Sequence, residues 1–316
     1  MRYRHSLALG VVLWVLGPGG LAQAQMLVPG GPQLTPANPA LPAGLLPLFQ
    51  PQRLPTDTTP ARPAADIAYG AYQRGYYLTA LQEATKRLDK NKDDTAAMTL
   101  VGEIYKDGFS VRRSLTEAAR WYKLAADRGD RQGAFALAIA ALQGEGVPQD
   151  KALAKSLLVK AAAAGHGGAL YNLGIIAIDA EIQDFQGAAA YFRASAEAGN
   201  ADGAYSLAIL YREGQGVPRD MTQAALWMKR AADEHIAAAE VEYGIMLFNG
   251  EGQAKDEAAA ARYFLRAATR NNPVAMNRMA RLYAAGRGVP KNIIESMKWH
   301  ILARTVGLRM TGSTAR

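Results

Sequence analysis

A small residue recurs at a near-constant interval through most of this chain: Gly102, Ala138, Gly174, Ala208, Gly244 and Ala280, separated by 36, 36, 34, 36 and 36 residues. A period of this size marks a repeat architecture, in which each unit buries its apolar face only by stacking on its neighbours. With the small residue as position 0, the residue before it is apolar in every copy: Val101, Leu137, Leu173, Leu207, Tyr243 and Met279. At position +3 stand Tyr105, Ala141, Ala177, Tyr211, Leu247 and Tyr283. These positions share one face of a helix, and the small residue lets the next helix come close.

Punctuation follows each of these helices. Glycines at +6 and +8 are paired in four copies (Gly144 and Gly146, Gly214 and Gly216, Gly250 and Gly252, Gly286 and Gly288), and the first copy keeps Gly108 alone. Glycine just past a helix end permits the left-handed conformation that closes the last turn. Pro148, Pro218 and Pro290 then stop the first helix from continuing. The third copy departs: Ala180 and Ile182 replace the glycines and two residues are missing.

A second helix starts at an equivalent place in all six copies. Ser114, Asp150, Asp184, Asp220, Asp256 and Asn292 are all good N-cap residues, whose side-chain oxygens accept from the free amides of a helix start. That role accounts for the acids without any catalytic one. Apolar or aromatic pairs recur inside the second helix: Trp121-Tyr122, Leu157-Leu158, Tyr191-Phe192, Trp227-Met228, Tyr263-Phe264 and Trp299-His300. Small pairs such as Ala125-Ala126 and Ala231-Ala232 follow one turn later, and Ala303-Arg304 puts a charge there in the terminal copy. Trp227 reads as a core aromatic.

The pattern A-x-x-x-L-G-x-x-Y-x-x-G-x-G-V-x-x-D followed by A-x-x-W-[YF]-x-x-[AS]-A-x-x-G resembles the Sel1-like repeat, and residues 208–232 are a near-ideal copy. The resemblance implies an all-α fold, an α-solenoid that is a right-handed superhelix of antiparallel helix pairs, with six Sel1-like repeats over 96–307. Residues 65–95 are expected to add an N-terminal helix pair, since Gly75-Tyr76-Tyr77-Leu78-Thr79-Ala80 is similar to half of the related tetratricopeptide pattern. A frayed tail is expected over 308–316.

The segments before the repeats have their own texture. Arg2, Arg4 and His5 precede an uncharged apolar run, Leu7 to Leu16, and Ala22-Gln23-Ala24 fits a small-x-small cleavage site. This is the pattern of a secretory signal peptide over 1–24. The run falls short of the roughly 20 apolar residues that span a bilayer. The expected product is soluble, with no membrane span after cleavage, and periplasmic or secreted. Residues 25–64 hold ten of the fifteen prolines and read as an extended, disordered linker. Cysteine is absent, which excludes disulfides and thiolate chemistry. The net charge of +8 becomes +6 once Arg2 and Arg4 leave, and no Lys/Arg run with interleaved aromatics points to nucleic acid.

No catalytic, cofactor or metal constellation is apparent. His166, His235 and His300 show no ligand spacing. Ser-x-x-Lys, the nucleophile motif of β-lactam chemistry, is missing, the near miss being Ser156 with Lys160. What remains is surface. The resemblance to tetratricopeptide repeats implies that the first helices line a concave face, at −3 (Thr99, Phe135, Tyr171, Tyr205, Val241, Asn277), +1 (Glu103, Ile139, Ile175, Ile209, Ile245, Arg281) and +4 (Lys106, Leu142, Ile178, Arg212, Phe248). The isoleucine row also fits helix-on-helix packing. The expected partner-binding residues are Phe135, Tyr171, Tyr205, Arg212, Phe248 and Arg281. The function implied is a non-enzymatic protein-interaction module, its partner a sensor-kinase ectodomain or an envelope assembly component. A cell-wall enzyme such as a β-lactam hydrolase, and non-catalytic peptidoglycan or polysaccharide binding, are the alternatives.

Overall fold

A computed structural model describes residues 66–180 and 183–312, with side chains as far as 307. The signal peptide and the proline-rich linker expected from the sequence lie outside the described residues. Among these there are fourteen helices and no strand. A short pair, α1 (Ile67–Gln73) and α2 (Tyr77–Lys90), precedes six longer ones. The first helices of these six are α3 (Thr95–Asp107), α5 (Arg131–Gln143), α7 (Gly167–Ile178), α9 (Ala201–Glu213), α11 (Ala237–Asn249) and α13 (Pro273–Ala285). Their second helices are α4 (Leu115–Asp127), α6 (Lys151–Ala163), α8 (Phe185–Glu197), α10 (Met221–Asp233), α12 (Glu257–Thr269) and α14 (Ile293–Gly312). The chain is an all-α helical repeat. The tail expected from 308 is helical to Gly312, since no proline or cap interrupts the segment.

The periodic small residue sets how closely the two helices of a pair meet. A Cβ added at Gly102 would lie 2.5 Å from the Tyr122 ring, at Gly174 2.5 Å from Phe192, and at Gly244 2.6 Å from Phe264. In the alternate repeats the small residue is Ala138 or Ala208, and the second helix supplies Leu158 or Met228 to the same core clusters. Glycine thus stands opposite an aromatic ring and alanine opposite an aliphatic chain, which keeps the summed volume nearly constant at close packing. In the first five repeats the second member of the apolar pair takes this core position. Met228 is fully buried, whereas Trp227 is half-buried with an unpartnered indole N–H. Trp227 is therefore not the core aromatic expected; adjacent helical residues point about 100° apart, and only one of the pair can face the small residue. In the last repeat the register differs: Trp299 is buried and His300 exposed.

Each pair is closed by the same backbone bond. The N–H of the second helix's N-cap residue donates to the carbonyl at +3 of the first: Ser114 to Tyr105, Asp150 to Ala141, Asp184 to Ala177, Asp220 to Tyr211, Asp256 to Leu247 and Asn292 to Tyr283, all 2.9–3.0 Å. The same six residues cap the second helix with their side chains. In the third repeat α7 stops one residue early, at Ile178, and Asp179 takes an ordinary φ of −82°. The clamp survives the shorter loop.

The paired glycines divide two tasks. Gly214 caps α9 at φ 71° and donates to Leu210, as expected. Gly216 carries the approach to the preceding repeat: a Cβ there would lie 2.1 Å from the Phe185 carbonyl oxygen at the start of α8. Gly146, Gly252 and Gly288 meet the Leu115, Met221 and Glu257 carbonyls in the same way.

Candidate functional site

The odd-numbered helices crowd together more closely than the even-numbered ones: α3 meets α5 directly and α7 meets α9, and no two even-numbered helices approach to that extent. Their outward face carries the three rows read from the sequence. The +1 isoleucines Ile139, Ile175, Ile209 and Ile245 are all half-buried. Lys106, Leu142, Ile178, Arg212 and Phe248 at +4 are half-buried too. The −3 row is less uniform. Thr99 and Val241, expected to line the face, are buried instead, Thr99 because its hydroxyl donates to Asp130 at 2.9 Å.

The six expected partner-binding residues all lie on this face, in different surroundings. Phe135 is half-buried and stacks on His166, with centroids 4.3 Å apart. His166 is fixed on both sides of its ring: Nδ1 accepts from the Ala169 N–H at 3.1 Å, capping α7, and Nε2 lies 2.8 Å from Gln132 Oε1. Capping through Nδ1 requires that nitrogen to be unprotonated. Burial pushes the His166 pKa down, and the Arg131 charge adds to that.

Tyr171 tilts against Phe192 at 5.7 Å. Burial pushes its phenol up, with the Asp202 charge adding. Tyr205 is shifted the same way by burial and by Glu242. Arg212, expected to bind a partner, is engaged within the chain: it pairs with Glu242 of the next repeat at 3.1 Å and with Glu213 at 3.0 Å. Tyr205, Arg212 and Glu242 therefore form one group across α9 and α11. Phe248 and Arg281 come together in a cleft between α11 and α13, joined by Arg278 and Arg287. The Arg287 guanidinium sits 4.1 Å from the Phe248 ring centroid. Arg287 and Lys255 also hold the Glu257 carboxyl down to about 2.

Three charged residues here escaped the sequence reading. Glu242 and Arg278 occupy −2, a row not singled out, and Arg287 sits between two glycines read only as a turn. Away from the face, Glu240 is fully buried and ion-paired to Arg266 of α12 and to Arg270, the residue that follows that helix. Every other repeat has an apolar residue at that place: Met98, Ala134, Leu170, Ala204 or Met276. Among the described residues there is no group of three or more His, Asp or Glu side chains placed to hold a metal, and no helix long and apolar enough to cross a membrane.

The Sel1 repeat model matches six segments in succession: 95–130, 131–166, 168–200, 201–235, 237–272 and 273–305. The chain belongs to the Sel1 repeat family. Each matched segment corresponds to one closed helix pair, and α1 and α2 precede the first Sel1 repeat. Sel1 repeats generally serve as protein-interaction scaffolds. Among solved structures, the chain is similar to a protective antigen present in uropathogenic Escherichia coli strains and displaying an SLR fold, at 28% identity and a TM-score of 0.64 over 71% of this chain. The match spans about half of that antigen, 48% of its length. A Sel1 repeat protein from Oxalobacter formigenes is similar at 23% identity and a TM-score of 0.61, covering 75% of this chain and 94% of the other. Curated proteins give no match by sequence.

Proposed function

We propose that this Sel1 repeat protein is an exported interaction module that takes a protein partner on the face of its odd-numbered helices, in the periplasm or outside the cell. One observation carries the surface assignment. Large apolar and aromatic side chains run through successive repeats on that face, half-buried rather than buried, from Phe135 through Tyr171 and Tyr205 to Phe248. A core would cover such groups fully, and aromatic anchors with open flanks are what protein interfaces desolvate. The export half rests on the Arg2 and Arg4 charges, the Leu7 to Leu16 run and Ala22-Gln23-Ala24. A sensor-kinase ectodomain or an envelope assembly component is the partner class that the family resemblance suggests.

The test places a photo-crosslinking amino acid at Tyr205, on α9, or at the exposed Tyr191, on α8. An adduct with a partner protein is expected from position 205 and not from 191, in cells making the full chain. The same preparation, sequenced from its N-terminus, is expected to begin at Gln25. Adducts from 191 alone would place the interface on the other face, and an intact Met1 on the soluble protein would overturn export.

A further inference from the structure

Repeats five and six meet at a junction that breaks the charge pattern of the one before it. Where repeats four and five adjoin, the +4 residue is Arg212 and the facing −2 residue is Glu242, and the two are paired at 3.1 Å. One repeat further on, the +4 residue is Phe248 and the −2 residue is Arg278. The acid has been exchanged for a base, and the base for an aromatic ring. A cleft of about 270 Å³ opens there between α11 and α13. Its lining combines the apolar Ile245, Phe248 and Leu282 with the guanidinium groups of Arg278, Arg281 and Arg287. Arg287 is engaged with Glu257 and with the Phe248 ring. Arg278 and Arg281 are not: among the described residues neither has a hydrogen bond, ion pair or ring contact.

We infer that this cleft is the docking point for an acidic segment of the partner protein, one apolar side chain entering over Ile245 and Phe248 while flanking carboxylates bind Arg278 and Arg281. The inference rests on the reading of the odd-helix face as the interaction surface. Charge complementarity selects the partner: the missing carboxylate of this junction is supplied from outside, in the role Glu242 plays for Arg212. Arg278 is half-buried and Arg281 exposed, and guanidinium groups bind carboxylates through paired N–H donors, more strongly than neutral groups do. The apolar lining decides against a plain polyanion. A phosphate chain would satisfy the two arginines and leave the half-buried Ile245 and Phe248 uncovered, whereas an acidic segment with a leucine covers both.

The probe is a short synthetic peptide with one leucine flanked on each side by glutamates, titrated at low salt into the full chain and followed by NMR. Shifts confined to α11 and α13 are expected. Affinity is expected to fall about tenfold for R278A/R281A, for a peptide with glutamine in place of glutamate, and for one with alanine in place of leucine. The charge-reversed R278E/R281E is expected to bind the lysine-flanked version of the peptide instead, a gain that misfolding cannot produce. Equal binding of glutamate and glutamine peptides, undiminished binding by R278A/R281A, or duplex DNA competing as well as the leucine peptide would each overturn the inference. The crosslink at position 205 separates the two readings. If it persists undiminished in R278A/R281A, the cleft assignment fails and the interaction face stands. If it is absent from every variant, the face itself fails.

Discussion

At the scale of single residues, His166 links the surface to the fold. Its imidazole caps α7 through Nδ1 and supports the Phe135 ring. Burial depresses its pKa below the ordinary 6.5, so near that pH the unfolded chain binds the proton more readily than the folded one. The contribution of His166 to stability is therefore complete above about pH 6.5 and lost as the pH falls. Asparagine caps a helix without titrating. The melting temperature of His166→Asn is expected to fall less than that of the wild type between about pH 7 and pH 5; equal slopes would mean that the cap does not sense protonation. The sequence put Phe135 on the first-helix face and gave His166 no ligand spacing, and could not join them, because the stack closes between α5 and the start of α7, far apart along the chain. Arg212 shows the same limit. Its row was legible from the period, but its partner Glu242 faces it only through the packing of α9 on α11. Glu240 was hidden for another reason: an acid in a core row reads as a breach of the pattern until Arg266 of α12 and Arg270 just beyond it, which pair with it, are in view.

At the scale of the helix pair, almost everything was legible, because the determinants are local. N-caps, stop signals and small residues act within a few residues of where they stand in the chain. The pairing of Gly102, Gly174 and Gly244 with Tyr122, Phe192 and Phe264, against alanine with Leu158 and Met228, was written there as well. It becomes readable once the second member of the apolar pair is known to be the inward one in the first five repeats. The two glycines of each turn look equivalent in sequence and differ in structure. Gly214→Ala is expected to cost about 1 kcal/mol, the strain of a left-handed φ. Gly216→Ala carries the same strain at φ 68° and also drives a methyl against the Phe185 carbonyl, adding about 1–3 kcal/mol of overpacking. Chemical denaturation of the two variants checks the order; equal losses would mean that α8 and the α9–α10 turn can part without cost.

At the scale of the whole stack, the core is uneven. One continuous cluster of buried side chains runs from Ala196 to Ala303, through the fourth to sixth repeats. Between Ala68 and Leu210 the buried residues fall into four smaller clusters. In a repeat array, stability is a sum of units and junctions, and opening begins where the junctions are weakest. Amide hydrogen exchange is expected to be slowest in α10 to α13 and fastest in α1 and α2, with α5 to α7 between. Uniform protection along the chain would show that the smaller clusters are coupled more tightly than their separation suggests. The clamp from each N-cap N–H to the +3 carbonyl has a consequence for what such a chain can become. It uses no side chain, so each hairpin closes whatever stands at −3, +1 and +4. Those positions behave as an alphabet printed on a fixed ruler. Rewriting one letter alters what is read at a single mark, and splicing in a further unit moves every later mark by one division while the spacing of the ruler stays the same.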